Sequence, residues 1–519
     1  MTLQKASADF PKKALFLLPL LPVLFFFTHS VARFTDLVFT PGVLLLFFIY
    51  CLAASFLCGI LKAALKFSFS VSVCGSTLLI TGFLFFGTIQ DTLFRAKKLH
   101  FLSNSFLLLF MIFFSVGFVL FLARRKKYSL NRLNHYLLLL FALLIFYELI
   151  VSGITFLSGK NANKVAGRMT SVVALPLTSG QVPKPDIYYI IFDAYTNLPA
   201  LQRYWNYNND VYPYLQSLGF FTADSAFSNY TSTPFSISSI MNLQYLKGAE
   251  PYLHSNSSNF LIGRKTYLNN TLFRFLRGEG YEFSIFSQLE DQELLTTFGF
   301  LGVEKPVNWL RKLTVERIYL NPWISEKITK FFRGAGKQPG MIRKSMESFR
   351  RYNDKAISHL LSDCNKTVRN SSVRPIFHFT HLMLPHDPYQ LDENGKFIPY
   401  SKPGGGDMNG YLAQIKYSNK LIQQVAKCLL ADTTRKKIIV FQGDHGYRHN
   451  GNAPVWQQHD ALSAFYFYNQ NYEGISKKIS HVNTFRIIIN KFFEGNLPLL
   501  KDSLKMSNKH PTDENTGPY

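Results

Sequence analysis

Cysteine and charge are both scarce in this chain. Five cysteines in 519 residues exclude a disulfide-stapled scaffold. With 47% hydrophobic and only 17% charged residues, the chain is too apolar to be disordered, and the shortage of charge argues against a wholly soluble globule. Acidic residues are the scarcer sign: 32 Asp and Glu face 56 Lys and Arg, a formal net charge of +24. No internal repeat is visible, which removes solenoids and propellers. Aromatic and apolar side chains dominate, with 50 Phe among them. At this length they imply two or more domains, one of which is not soluble.

The positive excess could mean nucleic acid, an anionic membrane or acidic substrates. Its position decides against nucleic acid. Residues 1–168 carry 17 Lys and Arg against 4 Asp and Glu, placed between charge-poor apolar runs. These runs are Ala14 to Ser30, Leu37 to Leu61, Phe67 to Gln90, Leu99 to Ala123 and Leu133 to Gly159, the last interrupted by Glu148. Each is long enough, as a helix, for about 30 Å of hydrocarbon. The first alone could be a cleaved signal, but four more follow it. Five transmembrane helices over residues 1–159 are expected, with the Arg124 to Lys127 cluster on the inner face and everything after residue 159 outside the cytoplasm. Glu148 is an intramembrane carboxylate, so it marks either a functional path or a contact with a neighbour or the interface.

Residues 160–184 are small, polar and aperiodic, and read as a linker. Residues 185–500 mix helical and strand patterns in one large α/β domain, and 501–519 read as an unfolded tail. Cys364 and Cys428 are the two cysteines of this half, and their spacing leaves pairing open. Three apolar strand-like runs end in potential metal ligands: Asp186 to Asn197 with Asp193, Arg374 to Tyr389 with His381 and His386, and Lys436 to Gly451 with Asp444 and His445. Helical stretches, among them Leu272 to Gly280 and Tyr411 to Leu430, separate them, which predicts a mostly parallel sheet with helices on both faces. In such sheets ligands bind beyond the carboxyl ends of the strands, where these five residues would meet. Alone, each has a structural explanation as a turn or cap residue; together they point to a site.

Forty positions after Asp193, the stretch Asn229 to Asn242 reads as a loop entering a helix, with Thr233 at the N-cap and Pro234 at N1. That is an ordinary capped helix start. It is also a place where a hydroxyl faces free N–H groups that favour phosphate or sulfate.

On these residues the chain resembles the alkaline phosphatase and sulfatase superfamily, and within it the membrane-anchored lipid A phosphoethanolamine transferases and lipoteichoic acid synthases. Asp193, Thr233, Asp444 and His445 occupy the places of that family's metal ligands, Thr233 being also its covalent nucleophile. Thr231, Thr233 and Ser236 fit the transferases' Thr-x-Thr-x-x-Ser segment, which prefers Thr233 over Thr196. His381, Met383, His386 and Pro388 fit their His-x-Met-x-x-His-x-Pro segment, and His459, or else His449, fits the histidine after Asp-His-Gly. The resemblance implies catalytic roles for Thr233, His386 and His459, substrate contact for His381 and His386, and zinc, or manganese, as cofactor. It implies a phosphoethanolamine- or phosphoglycerol-type transferase or phosphodiesterase, with a phospholipid-like donor and an envelope glycan or lipid acceptor, at a bacterial inner membrane. The pattern departs at Asp193, where the transferases carry Glu, and in lacking their cysteines beside the nucleophile. Ser232, Thr233 and Pro234 imitate the start of a sulfatase formylglycine segment, but Ser236 stands where its Arg would be. Sulfate-ester hydrolysis by the same fold and a non-catalytic, membrane-anchored glycan- or partner-binding protein are the alternatives.

Overall fold

The structure, a computed structural model, describes residues 15–33, 41–125, 130–157, 162–171, 173–175, 177–178, 184–253, 257–290, 306–320, 340–362, 374–398, 407–448 and 455–505. They form two compact units, 1–161 with 304–342, and 162–303 with 343–519.

The first unit is helical: α1 (Leu21–Arg33), α2 (Pro41–Ala63), α3 (Phe69–Arg95), α4 (Ser105–Arg125) and α5 (Asn131–Leu157). Four of these helices are long and apolar enough to cross a membrane; α1, with 13 residues, is shorter. The expectation of five long spans thus holds for four. Glu148 on α5 pairs with His29 on α1, Nδ1 to Oε1 at 2.5 Å, so of its two readings the structure supplies the neighbour contact. Cys51, Cys58 and Cys74 are free. Two short helices, α12 (Pro306–Leu313) and α13 (Arg317–Leu320), fall inside the stretch expected to form one continuous outer domain, yet they fold with this unit. The reason is amphipathic: Leu310 is buried, with Val307 and Leu313 beside it, among Val43, Leu46 and Tyr50 of α2 and Ile80 and Leu84 of α3.

The second unit is built on a six-stranded sheet of order β2-β6-β5-β1-β4-β3. Its strands are β1 (Asp186–Phe192), β2 (Phe221–Thr222), β3 (Glu282–Phe286), β4 (Ile376–Leu382), β5 (Lys437–Gly443) and β6 (Ser463–Phe467). β3, β4, β1 and β5 run parallel, while β6 and β2 pair antiparallel at one edge, so the sheet is mixed. β1 is central and, after Asp186, made of apolar and aromatic residues, as suits a strand covered on both sides. Successive side chains point to opposite faces. Ile187, Tyr189 and Ile191 enter one core with α9 (Thr233–Asn242), α10 (Ser257–Leu268), α11 (Thr271–Gly278) and α16 (Thr484–Phe492). Tyr188, Ile190 and Phe192 enter the other, with α7 (Leu198–Trp205), α8 (Val211–Ser217), α14 (Gly340–Ser362) and α15 (Met408–Ala431). At the amino end of β1, Asp186 accepts from Arg435 Nε at 2.6 Å and Nη2 at 2.9 Å and from the Ile376 N–H at 2.8 Å, which pins the starts of three strands together.

Two expectations shift at the borders of this unit. Within the predicted linker, α6 (Ala162–Met169) forms and packs against α10, burying Met169 beside Phe235 and Ile262. The start of the predicted tail is also held: Lys505 N–H donates to the Asn229 carbonyl at 2.9 Å, and Asn229 Nδ2 donates to the Ser503 carbonyl at 3.0 Å. Cys428 is disulfide-bonded, with its partner outside the described residues.

Candidate active site

Three parallel strands deliver the acidic and imidazole groups to one edge. Asp193 follows β1, His381 lies near the end of β4, and Asp444 and His445 follow β5. At Ala194 the chain turns sharply with φ +62°, a left-handed conformation uncommon for a residue with a Cβ. The turn lets the Ala194 N–H donate to Asp444 Oδ1 at 3.0 Å, and the His445 N–H reaches the same oxygen at 3.0 Å. Gly446 is required by contact, since a Cβ there would lie 2.2 Å from the Asp460 carbonyl oxygen.

Thr233 arrives from the other side, at the start of α9. The helix begins one residue earlier in register than expected: Ser232 is the N-cap, its carbonyl accepting from Phe235 and Ser236 N–H at 3.0 and 2.9 Å. Thr233 is therefore N1, inside the first turn, and its hydroxyl is left to face His445 Nε2 at 3.4 Å. Ser236, one turn on, donates to the Asp444 carbonyl at 2.5 Å and ties the helix to the loop after β5. Gly263 lets α10 approach Pro234, where a Cβ would meet the ring at 2.8 Å.

Side chains of Asp193, Asp444 and His445 bring one donor atom each within 4.8 Å of one another, all buried. His445 Nε2 is 3.5 Å from both Asp193 Oδ1 and Asp444 Oδ2. Both carboxylate oxygens are buried without a hydrogen-bond partner. The other ring nitrogen of His445 donates to the Gly446 carbonyl at 2.8 Å, so Nε2 carries the lone pair. Burial, with the Arg448 charge beside it, pushes His445 down to about 4, and the ring is neutral at neutral pH. Two carboxylate oxygens and an imidazole lone pair facing one point repel each other unless a cation sits among them. This donor set, mixed nitrogen and oxygen with a hydroxyl adjacent, fits a divalent metal.

Burial also pushes Asp193 up, but the imidazoles of His386, His381 and His445 outweigh it and hold its carboxyl well below the usual carboxylate range. Because His386 itself accepts a hydrogen bond from an arginine, the contact that secures this direction is His381 Nε2, which donates to Asp193 Oδ2 at 3.2 Å. His386 donates from Nδ1 to the Asp387 carbonyl at 2.6 Å and accepts at Nε2 from Arg448 Nη2 at 2.8 Å. Its ring lies 6.3 Å from that of His445. His459 donates from Nδ1 to the Ser228 carbonyl at 2.9 Å, on the loop that leads to Thr233, and its Nε2 is buried and unpartnered. Burial pushes His459 down to about 4, so this nitrogen too carries a lone pair. His449, the alternative to His459, lies outside the described residues. Thr196 donates to the Asp460 carbonyl at 3.1 Å instead of facing the cluster.

Arg448 is the residue that sequence reasoning missed. One nitrogen reaches His386 and the other donates to the Thr231 carbonyl at 3.0 Å, placing a guanidinium between the loop after β4 and the loop that leads into α9. Its position three residues past His445 was the available signal.

The structure thus defines a class, a mixed α/β sheet with a buried cluster of carboxylates and imidazoles beyond the carboxyl ends of its parallel strands, and sequence comparison names it. The sulfatase family model matches residues 189–485, more than half of the chain. The chain belongs to the sulfatase family. No curated protein sequence matches it. Among solved structures it is similar to the integral membrane lipooligosaccharide phosphoethanolamine transferase A from Neisseria meningitidis, at 13% identity and TM-score 0.35, over 92% of this chain and 95% of that one. It is also similar to the C-terminal periplasmic domain of EcEptC from Escherichia coli in complex with Zn, at 11% identity and TM-score 0.36, over 66% and 95% of the two chains. A third likeness is to the C-terminal periplasmic domain of the phosphoethanolamine transferase EptC from Campylobacter jejuni, at 13% identity and TM-score 0.32, over 60% and 89%.

Proposed function

We propose that the protein is a membrane-bound, metal-dependent transferase or phosphodiesterase that takes a phospho group from a phospholipid-like donor through a covalent intermediate on Thr233. One observation carries this reading: the Thr233 hydroxyl faces a buried cluster of two unpartnered carboxylate oxygens and an imidazole lone pair. Asp193, Asp444, His445 and Thr233 would hold the metal, zinc by the donor set with manganese as the alternative, and when bound it supplies a positive charge that favours the ionised hydroxyl.

Thr233 Oγ1 forms a bond to phosphorus, the bond from phosphorus to the donor's leaving oxygen breaks, and the proton lost by the hydroxyl ends on that oxygen. His459, whose Nε2 lone pair is free, is the group that would carry the proton, while His386, held by Arg448, would contact the transferred group. Arg448 supplies a fixed positive charge for the non-bridging oxygens, and the positive end of the α9 dipole adds to it. In the second step an acceptor hydroxyl on an envelope glycan or lipid, or water, displaces Thr233 and gives up its proton. A fifth membrane crossing by α1 with the preceding Leu18–Leu20 turn would place the second unit outside the cytoplasm, the side favoured by the positive residues of the inner loops.

The test is mass spectrometry of the peptide from Asn229 to Asn242, from full-length protein purified with its metal and incubated with phospholipid. A phospho-type adduct on Thr233 is expected, and its mass identifies the transferred group. Full activity in Thr233→Ala sinks the reading; with the nucleophile gone, turnover falls at least about a thousandfold. Formylglycine at Ser232 replaces it with sulfate-ester hydrolysis.

A further inference from the structure

The first unit contains a cavity that the reaction above does not use. It has a volume of about 530 Å³ and lies between α2, α3 and α4, lined by Ile49, Phe56, Leu79, Leu109, Ile112 and Phe113 among others. Its lining is almost wholly apolar except at one place, where Tyr50 and Glu316 meet. Tyr50 donates to Glu316 Oε1 at 2.8 Å, and Arg311 Nε donates to Glu316 Oε2. Tyr50 lies nine residues into α2, about 14 Å along the helix from Pro41. The segment carrying Glu316 is anchored at this depth, since Val315 N–H donates to the Phe83 carbonyl at 2.9 Å and Arg317 pairs with Asp91 at 2.9 Å.

A carboxylate and a guanidinium set this deep beside a span are costly and rare, and such residues mark ligand paths. Here they are not sealed off: the Arg311 side chain is 36% exposed and that of Glu316 21%. The cavity offers an acyl chain an apolar slot and offers a headgroup one fixed charge of each sign. We propose that this groove is a phospholipid site, with one acyl chain between α2, α3 and α4 and a zwitterionic headgroup on the Arg311–Glu316 pair. The phosphate faces Arg311 and the ammonium faces Glu316 and the Tyr50 oxygen. A headgroup without an amine leaves Glu316 facing like charge, so anionic lipids are disfavoured. Val315 and Glu316, in the turn between α12 and α13, close one side of the slot. As a lipid site this stands apart from the reaction; as the place where a donor is held it rests on the function proposed above.

The test uses full-length protein in nanodiscs of equal parts phosphatidylethanolamine and phosphatidylglycerol, followed by native mass spectrometry after mild detergent release. Wild type is expected to keep one phosphatidylethanolamine, preferred over phosphatidylglycerol about fivefold. Ala53→Trp, at an exposed position lining the groove, should fill the slot and lower retention about tenfold or more. Glu316→Gln should keep a lipid but lose the preference. Unchanged retention in Ala53→Trp, or equal retention of both lipids by wild type, overturns the proposal. Thr233→Ala separates the two readings: it should retain lipid like wild type while losing turnover, and full turnover with lipid retained leaves the lipid site standing while the reaction proposed above is overturned.

Discussion

Arg448 shows how much one side chain can decide. It bridges His386 and the loop that leads to Thr233, and its charge helps keep His445 neutral. Arg448→Ala should lower kcat/KM about a hundredfold. Arg448→Lys should recover little, because an ammonium cannot hold two partners in a fixed fork. Steady-state kinetics on the full-length protein, with metal content measured alongside, checks both. His481 carries a different lesson. It is fully buried with both ring nitrogens unpartnered, and burial pushes it down to about 3. Above its unfolded pKa of about 6.5 the ring is neutral in both states and adds no pH dependence. As pH falls below that value the unfolded chain takes up a proton that the folded one refuses, so stability is lost towards acid, by about 2 kcal/mol at pH 5. His481→Leu should flatten that acid limb in thermal unfolding scans between pH 7 and 5 while changing little at pH 7. A variant with the same acid limb as wild type contradicts the assignment.

Among the elements, strand β1 bears most of the architecture. It carries the ligand loop at one end and the Asp186–Arg435 pair at the other, where Arg435 is 9% and Asp186 2% exposed. Removing one partner of a buried pair leaves the other charge uncompensated, so Asp186→Asn should cost about 3 kcal/mol and lower Tm by roughly 6 °C. A shift below a degree would mean that the backbone contacts alone hold the strand starts. Much at this scale was legible from sequence: the apolar runs at β1, β4 and β5 with polar ends, and the loop-to-helix turn at Thr233. The one-residue shift of the N-cap was not, because either Ser232 or Thr233 can cap and only the path of the carbonyls decides. Helix α6 was not legible either. Its polar stretch reads as linker until Val165 and Met169 find the apolar surface beside Tyr230 and Phe235.

For the whole molecule the metal is the test of integration. The buried oxygens of Asp193 and Asp444 repel one another without a cation, so ligand removal is felt as stability as well as activity. Chelation should lower Tm by several degrees and abolish turnover, with zinc restoring both. Asp444→Asn should start from the lower Tm and respond much less. If chelation leaves the wild-type Tm unchanged, the cluster does not hold a metal tightly. Composition and spacing by themselves determined that this chain has long apolar runs and an α/β part, and offered Asp193, Asp444 and His445 at strand ends and Thr233 at a helix start as candidates, because hydrophobic run length and motif order are local properties. Only the tertiary structure decided that Arg448 joins the site, that residues 306–320 fold with the membrane helices, and that the sheet ends in two antiparallel strands. Each depends on side chains and backbones far apart in sequence meeting in space, where packing and unpartnered charge choose among arrangements that the local pattern leaves equal.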